Sequence, residues 1–93
     1  MKNKKINLIR KKLDKLDLKM LFLIKKRSLL VNKILREKKY KKQIIDNNRI
    51  KIILKKIKNE SNKRNIDPKI TNSIWKAMIR SFINYEFRNF KKK

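Results

Sequence analysis

Arg27 and Lys38 stand 11 residues apart in a stretch without proline or glycine that runs from about residue 6 to residue 39. On a helix that spacing is about three turns, so the two side chains share a face, with Cα atoms roughly 16 Å apart. Two long cationic side chains leaning toward each other close that gap to the size of a small dianion. Val31 and Ile34 lie between them on the same face and form an apolar floor. Cations at both ends of an apolar floor suit a compact molecule carrying two carboxylates. Arg10 precedes Arg27 by 17 residues, about 25 Å along a straight helix, and cannot reach the same pocket. It serves a second pocket, or the pocket of a partner chain if two such helices pair antiparallel. The bland alternative is that these are three of 31 cations on a solvated face.

The chemistry open to the chain is narrow. It contains no cysteine and no histidine, which excludes disulfides, thiol nucleophiles, thiolate metal sites and histidine general bases. Seven carboxylates in total argue against a dedicated metal cage, and no cofactor is expected. What remains is electrostatics and positioning. Glu86 falls four residues after Phe82 and eight after Met78, within an apolar stripe at helical spacing. A lone carboxylate there sits at the rim of the stripe or is buried for a purpose. Arg49, three residues after Asp46, opens a helix, where surface charge is its ordinary role.

The elements that must position these residues are helices. Apolar residues recur at helical spacing from Ile6 through Leu13, Met20, Ile24 and Val31 to Ile34, which predicts one long amphipathic helix. Asp46, Asn47 and Asn48 are good N-cap residues for a second helix, which ends near residue 63 or 64. Asp67 and Pro68 suit the N-cap and first position of a third, running from residue 68 to about residue 90. With Gly 0 and Pro 1, sheets and hairpins lack their turn residues. The expected class is all-α: three helices in a single domain spanning residues 1–93, the first very long, with disordered basic ends at 1–5 and 91–93. Two shorter helices cannot cover so long a first helix, and an intertwined homodimer buries both its ends.

A net charge of +24 first suggests nucleic acid. The cations are mostly lysine on all sides of the helices, however, and the aromatics cluster in the last quarter at core spacing. A dedicated binder more often pairs arginine clusters with exposed aromatics, so no specific nucleic acid is expected. No apolar run is long enough to span a membrane. The N-terminus has no apolar secretory core, which points to the cytoplasm.

Taken together the residues resemble a known pattern. The order Ile9-Arg10-x-x-Leu13-Asp14-x-Leu16-Asp17, then Leu21-x-Leu23-Ile24-x-x-Arg27, then Lys38, Ile45-Asp46-x-x-Arg49, Ile66-Asp67-Pro68 and Ile74-Trp75-x-x-Met78-Ile79 is similar to that of the AroQ-class chorismate mutases. The resemblance covers roughly residues 6 to 90. It implies an intertwined dimer with two active sites that rearranges chorismate to prephenate in aromatic amino-acid biosynthesis. By the same resemblance, Arg27 binds one substrate carboxylate and Arg10 of the other subunit binds a carboxylate. Lys38 contacts a carboxylate and the ether oxygen, Glu86 donates a second hydrogen bond to that oxygen, and Asp46 and Arg49 close the site near the substrate hydroxyl. Two positions depart from the pattern. Ile50 stands where many mutases carry a glutamate, and Phe82 where a small serine commonly helps hold a carboxylate. Both departures are similar to the related isochorismate pyruvate-lyases. Chorismate is the favoured substrate, because the mutase is the commoner member.

Overall fold

The computed structural model describes residues 3–91. Helix α1 spans Lys4–Glu37 without a break over 34 residues. Leucine and lysine, both good helix formers, dominate it. Its first turn is closed by Asn3, whose Oδ1 accepts from Ile6 N–H at 3.2 Å. The helix therefore begins before the expected Ile6, and it also stops earlier than expected. Lys38 and Lys39 lie beyond its end, with Lys38 N–H donating to Leu35 O at 3.1 Å. A 3-10 turn at Lys41–Gln43 follows, then helix α2 over Asn47–Lys63 and helix α3 over Pro68–Asn89. No strand occurs among the described residues. The ends expected to be disordered fall partly outside the described residues, at 1–2 and 92–93.

The chain groups into two units, one ending at Leu30 and one beginning at Val31. The first is a single helical segment. Its inward-reading stripe, Ile9, Leu13, Leu16, Met20 and Leu23, is exposed along its whole length. No helix among the described residues is long and apolar enough to cross a membrane.

The second unit holds the last turns of α1, the 3-10 turn, α2 and α3, with α2 packed on α3. Ile50, Ile53, Leu54 and Ile57 from α2 and Trp75, Met78, Ile79, Phe82 and Ile83 from α3 are half-buried. Only Leu35 and Ile44 are buried among the described hydrophobic residues. Polar bonds add to this thin core. Ser61 Oγ donates to Ile57 O at 2.6 Å and lies 2.7 Å from Thr71 Oγ1. The two hydroxyls thereby link the helix pair, Thr71 Oγ1 also lying 3.4 Å from Pro68 O.

The connection between α2 and α3 shows how a chain without glycine ends a helix. Asn65 takes the left-handed conformation, φ 55°, at the position where glycine is usual. Ile66 N–H donates to Ser61 O at 2.9 Å and Asn65 N–H to Asn62 O at 3.3 Å, which together form a Schellman cap. Asp67 Oδ1 then accepts from Lys69 N–H at 2.9 Å and Pro68 opens α3. Nearby, a hydrogen bond from Arg64, its charge and that of Lys63 hold the exposed Glu60 carboxyl below its usual range. Solvent screening keeps the contribution of such a pair small.

Asn65→Val should destabilise the protein by about 1–2 kcal/mol, the cost of a left-handed residue with a branched side chain. Asn65→Gly should be tolerated. Urea denaturation followed by circular dichroism measures both, and equal stability of the two variants would refute the argument.

Candidate active site

Lys38 is the residue around which this region is built. It follows α1 directly, outside the helix, so its reach is set by the turn after it and not by the helical register. Gln43 fixes that turn. Its Oε1 accepts from Lys39 N–H at 2.7 Å and from Tyr40 N–H at 2.9 Å. Backbone bonds from Gln43 to Tyr40 and from Ile44 to Lys41, each 3.0 Å, complete the turn. Ile44 anchors it, being only 3% exposed. A lysine on a tied turn has fewer orientations to lose than one on a frayed helix end.

The Lys38 ammonium meets Glu86 Oε1 at 2.8 Å, a charge-assisted length. Glu86, on α3, is 6% exposed, and the side chain of Lys38 is 17% exposed. Beside Glu86 on the same helix, Tyr85 Oη donates to Asn32 Oδ1 at 2.8 Å. Phe82, one turn before Glu86, is half-buried.

Asp46 caps α2, its Oδ1 accepting from Arg49 N–H at 3.0 Å. The Asp46–Arg49 pairing is thus made through the Arg49 backbone, and the Arg49 side chain is exposed. Lys38, Gln43, Ile45, Asp46, Asn47 and Asn48 line one depression of about 460 Å³, within the size range of small-molecule sites. An ammonium has three donors. With one on Glu86, Lys38 can still donate to an oxygen in that depression.

In the second unit, then, Lys38 and Glu86 come together, and Lys38 shares a depression with Asp46. Arg10 and Arg27 belong to the first unit, Arg10 exposed and Arg27 half-buried. The helix is continuous over the 17 positions from one to the other, which keeps them about 25 Å apart. The placement of Lys38 on the long helix's face needs correction: it stands just past the helix, on the turn that Gln43 holds. Gln43 escaped sequence reasoning, although a glutamine three residues after a helix N-cap is a known signal. The Tyr85–Asn32 bond left no such signal, because its partners are 53 positions apart.

The arrangement offers no nucleophile. It offers a fixed cation, a buried carboxyl and a depression bordered by the start of a helix. These can bind an anion, orient it and stabilise charge that develops on an oxygen.

The sequence model of the chorismate mutase type II family matches residues 9–87. No curated protein and no solved structure matches the chain.

Loss of the Gln43 acceptor should free the turn that carries Lys38. In Gln43→Ala, hydrogen exchange at the Lys39 and Tyr40 amides should quicken about tenfold while α3 amides keep their rates. Unchanged exchange at both amides would mean that the side chain does not hold the turn.

Proposed function

The chain belongs to the chorismate mutase type II family, and we propose that within it the protein is a chorismate mutase, converting chorismate to prephenate. The observation that carries this reading is the part-buried Lys38–Glu86 pair at 2.8 Å in a chain without cysteine or histidine. The reaction is a pericyclic rearrangement. The ether C–O bond breaks as a C–C bond forms between the enolpyruvyl arm and the ring, with no nucleophile and no proton lost. An enzyme for it must hold the arm over the ring and stabilise negative charge growing on the ether oxygen.

In the proposed mechanism Lys38 turns part of its donor capacity from Glu86 to the ether oxygen and a carboxylate. Glu86 donates the second hydrogen bond to that oxygen. An ionised carboxylate would repel the growing charge, so the working form is the neutral acid. Arg27 binds one carboxylate. Arg10 cannot reach the same site along a rigid helix, so a second copy of the chain supplies it. The exposed stripe of α1 supports that dimer, since it is the surface a second copy would cover. Asp46 and Arg49 border the substrate hydroxyl from the start of α2. The same proposal places the protein in the cytoplasm, in aromatic amino-acid biosynthesis.

Ile50 and Phe82, both half-buried, favour a second reading, isochorismate pyruvate-lyase on the same site. Purified protein given each compound separates the two. Loss of chorismate absorbance with formation of prephenate is expected, whereas salicylate and pyruvate from isochorismate alone would establish the lyase. Inactivity toward both would refute the proposal. Glu86→Gln should keep activity, because the amide still donates to the ether oxygen. Glu86→Ala should lose roughly 10²-fold in kcat, the loss typical of one such donor.

The shared site has its own test. Arg10→Ala and Arg27→Ala proteins should each be nearly inactive, and mixing them should restore one working site per heterodimer. No recovery from folded dimers that exchange subunits would refute the sharing.

A further inference from the structure

The hydrogen bond from Tyr85 to Asn32 takes no part in the mechanism above, and we infer that it is a positioning device, holding α3 against the last turns of α1 when the Lys38–Glu86 pair loosens around the substrate. The inference rests on the mutase reading of that site.

Tyr85 and Glu86 are neighbours on α3, so their side chains leave the helix about 100° apart. They reach two different points on the chain they face. Tyr85 Oη meets Asn32 Oδ1 within α1 at 2.8 Å, and Glu86 Oε1 meets the Lys38 ammonium just past the helix end at 2.8 Å. Both bonds are part-buried. The extensive helix pairing of this unit is α2 with α3. Against the end of α1 and the turn after it, α3 makes at least these two polar cross-links.

Only one of them is left unchanged by the reaction as proposed. In that mechanism Lys38 shifts part of its donor capacity, and the neutral Glu86 carboxyl its proton, toward the ether oxygen, which weakens the link between them at the moment when the position of Glu86 matters most. The Tyr85–Asn32 bond joins neutral groups, and the proposed mechanism gives neither of them a contact with the substrate. Substrate neither competes for it nor alters its charge. It keeps the backbone of Glu86 fixed while the carboxyl changes partner. A displacement of 1 Å at a reacting centre can cost about 10² in rate, so even a partial loosening is measurable.

Asn32 is a costly choice for the place it occupies. Asparagine is a poor residue for a helix interior, since its side chain competes for nearby backbone groups. Here its oxygen accepts from Tyr85 instead. The same position filled by leucine would favour the helix and forfeit the cross-link.

The test is a double-mutant cycle on chorismate turnover. Tyr85→Phe should lower kcat about tenfold and leave KM within about twofold, because the groups that bind the carboxylates are untouched. Asn32→Leu should do the same, and Asn32→Asp, which still accepts from Tyr85, should retain activity. In a Glu86→Ala background, Tyr85→Phe should have no further effect, since the group it positions is gone. An equal loss in both backgrounds, or full kcat in Tyr85→Phe, would overturn the inference and leave the bond a structural one. Circular dichroism checks folding. Should Tyr85→Phe fail to fold, the Asn32→Leu and Asn32→Asp pair carries the same comparison in both backgrounds. Absence of turnover in the unsubstituted protein overturns the mutase reading and this inference with it. Turnover there with an unimpaired Tyr85→Phe overturns the inference alone.

Discussion

Burying Glu86 against Lys38 is the constraint that the second unit has to meet. Withdrawing charges from water costs several kcal/mol per ion, and mutual attraction offsets this only with good geometry. Removing one partner alone leaves an uncompensated buried charge, worth about 3–5 kcal/mol. Replacing such a pair by apolar side chains is often neutral or stabilising, so stability is a weak reason for it to be here. A reason in function is more economical. The pair places a donor and a carboxyl within 2.8 Å of each other, ready for a ligand oxygen. The Gln43 clamp, the Ile44 anchor and the Tyr85–Asn32 bond can all be understood as means of holding that arrangement.

The first unit poses the opposite problem, too little burial. A helix of this kind standing alone gains little from propensity, because most helical stability in proteins comes from packing an apolar face. Ile9, Leu13, Leu16, Met20 and Leu23 are all exposed. Full burial of each large apolar side chain is worth roughly 1.5–3 kcal/mol and these five are about half exposed, so covering them would contribute on the order of 5 kcal/mol. That is comparable to the whole stability of a marginally stable domain. The proposed dimer joins this energetic need to the catalytic one. The stripe that demands cover is carried by the helix bearing Arg10 and Arg27, so covering it with a second copy also supplies a cation that one chain cannot deliver to its own site.

Legibility of the sequence followed the range of the interactions. Helices declared themselves through local signals: apolar spacing for α1, Asp46 for the start of α2, and Asp67-Pro68 for α3. Each rests on contacts within a few residues, and the observed boundaries of α2 and α3 fall where those caps put them. The end of α1 was harder to read, because nothing in Lys38 or Lys39 forbids helix. There a side-chain acceptor, Gln43, competes for the Lys39 and Tyr40 amides and wins. Lys38 and Glu86, 48 positions apart, were singled out by type and by the family-like order of motifs, and no periodicity argument joins them. Tyr85 and Asn32 carried no such signal. Tyrosine in an apolar stripe reads as core, and asparagine on a lysine-rich helix reads as surface, until the fold brings them to hydrogen-bonding distance.

The charge of the chain bears on the site differently from the pair at its centre. A net +24 raises the local concentration of any anion and speeds its arrival. Screening at physiological ionic strength acts over about 8 Å, so lysines farther away than that contribute little once a ligand has docked. They also lie on all sides of the helices and cannot favour one orientation over another. Orientation must come from groups that are fixed and close. Lys38 is such a group, tied by its turn and by Glu86, whereas at the start of α2 the Asp46 carboxylate that caps the helix lines the same depression and offsets the positive end of the helix dipole. The attraction is generic, whereas the selectivity for a compact dianion that the proposed function requires would depend on the few cations whose positions the fold can hold.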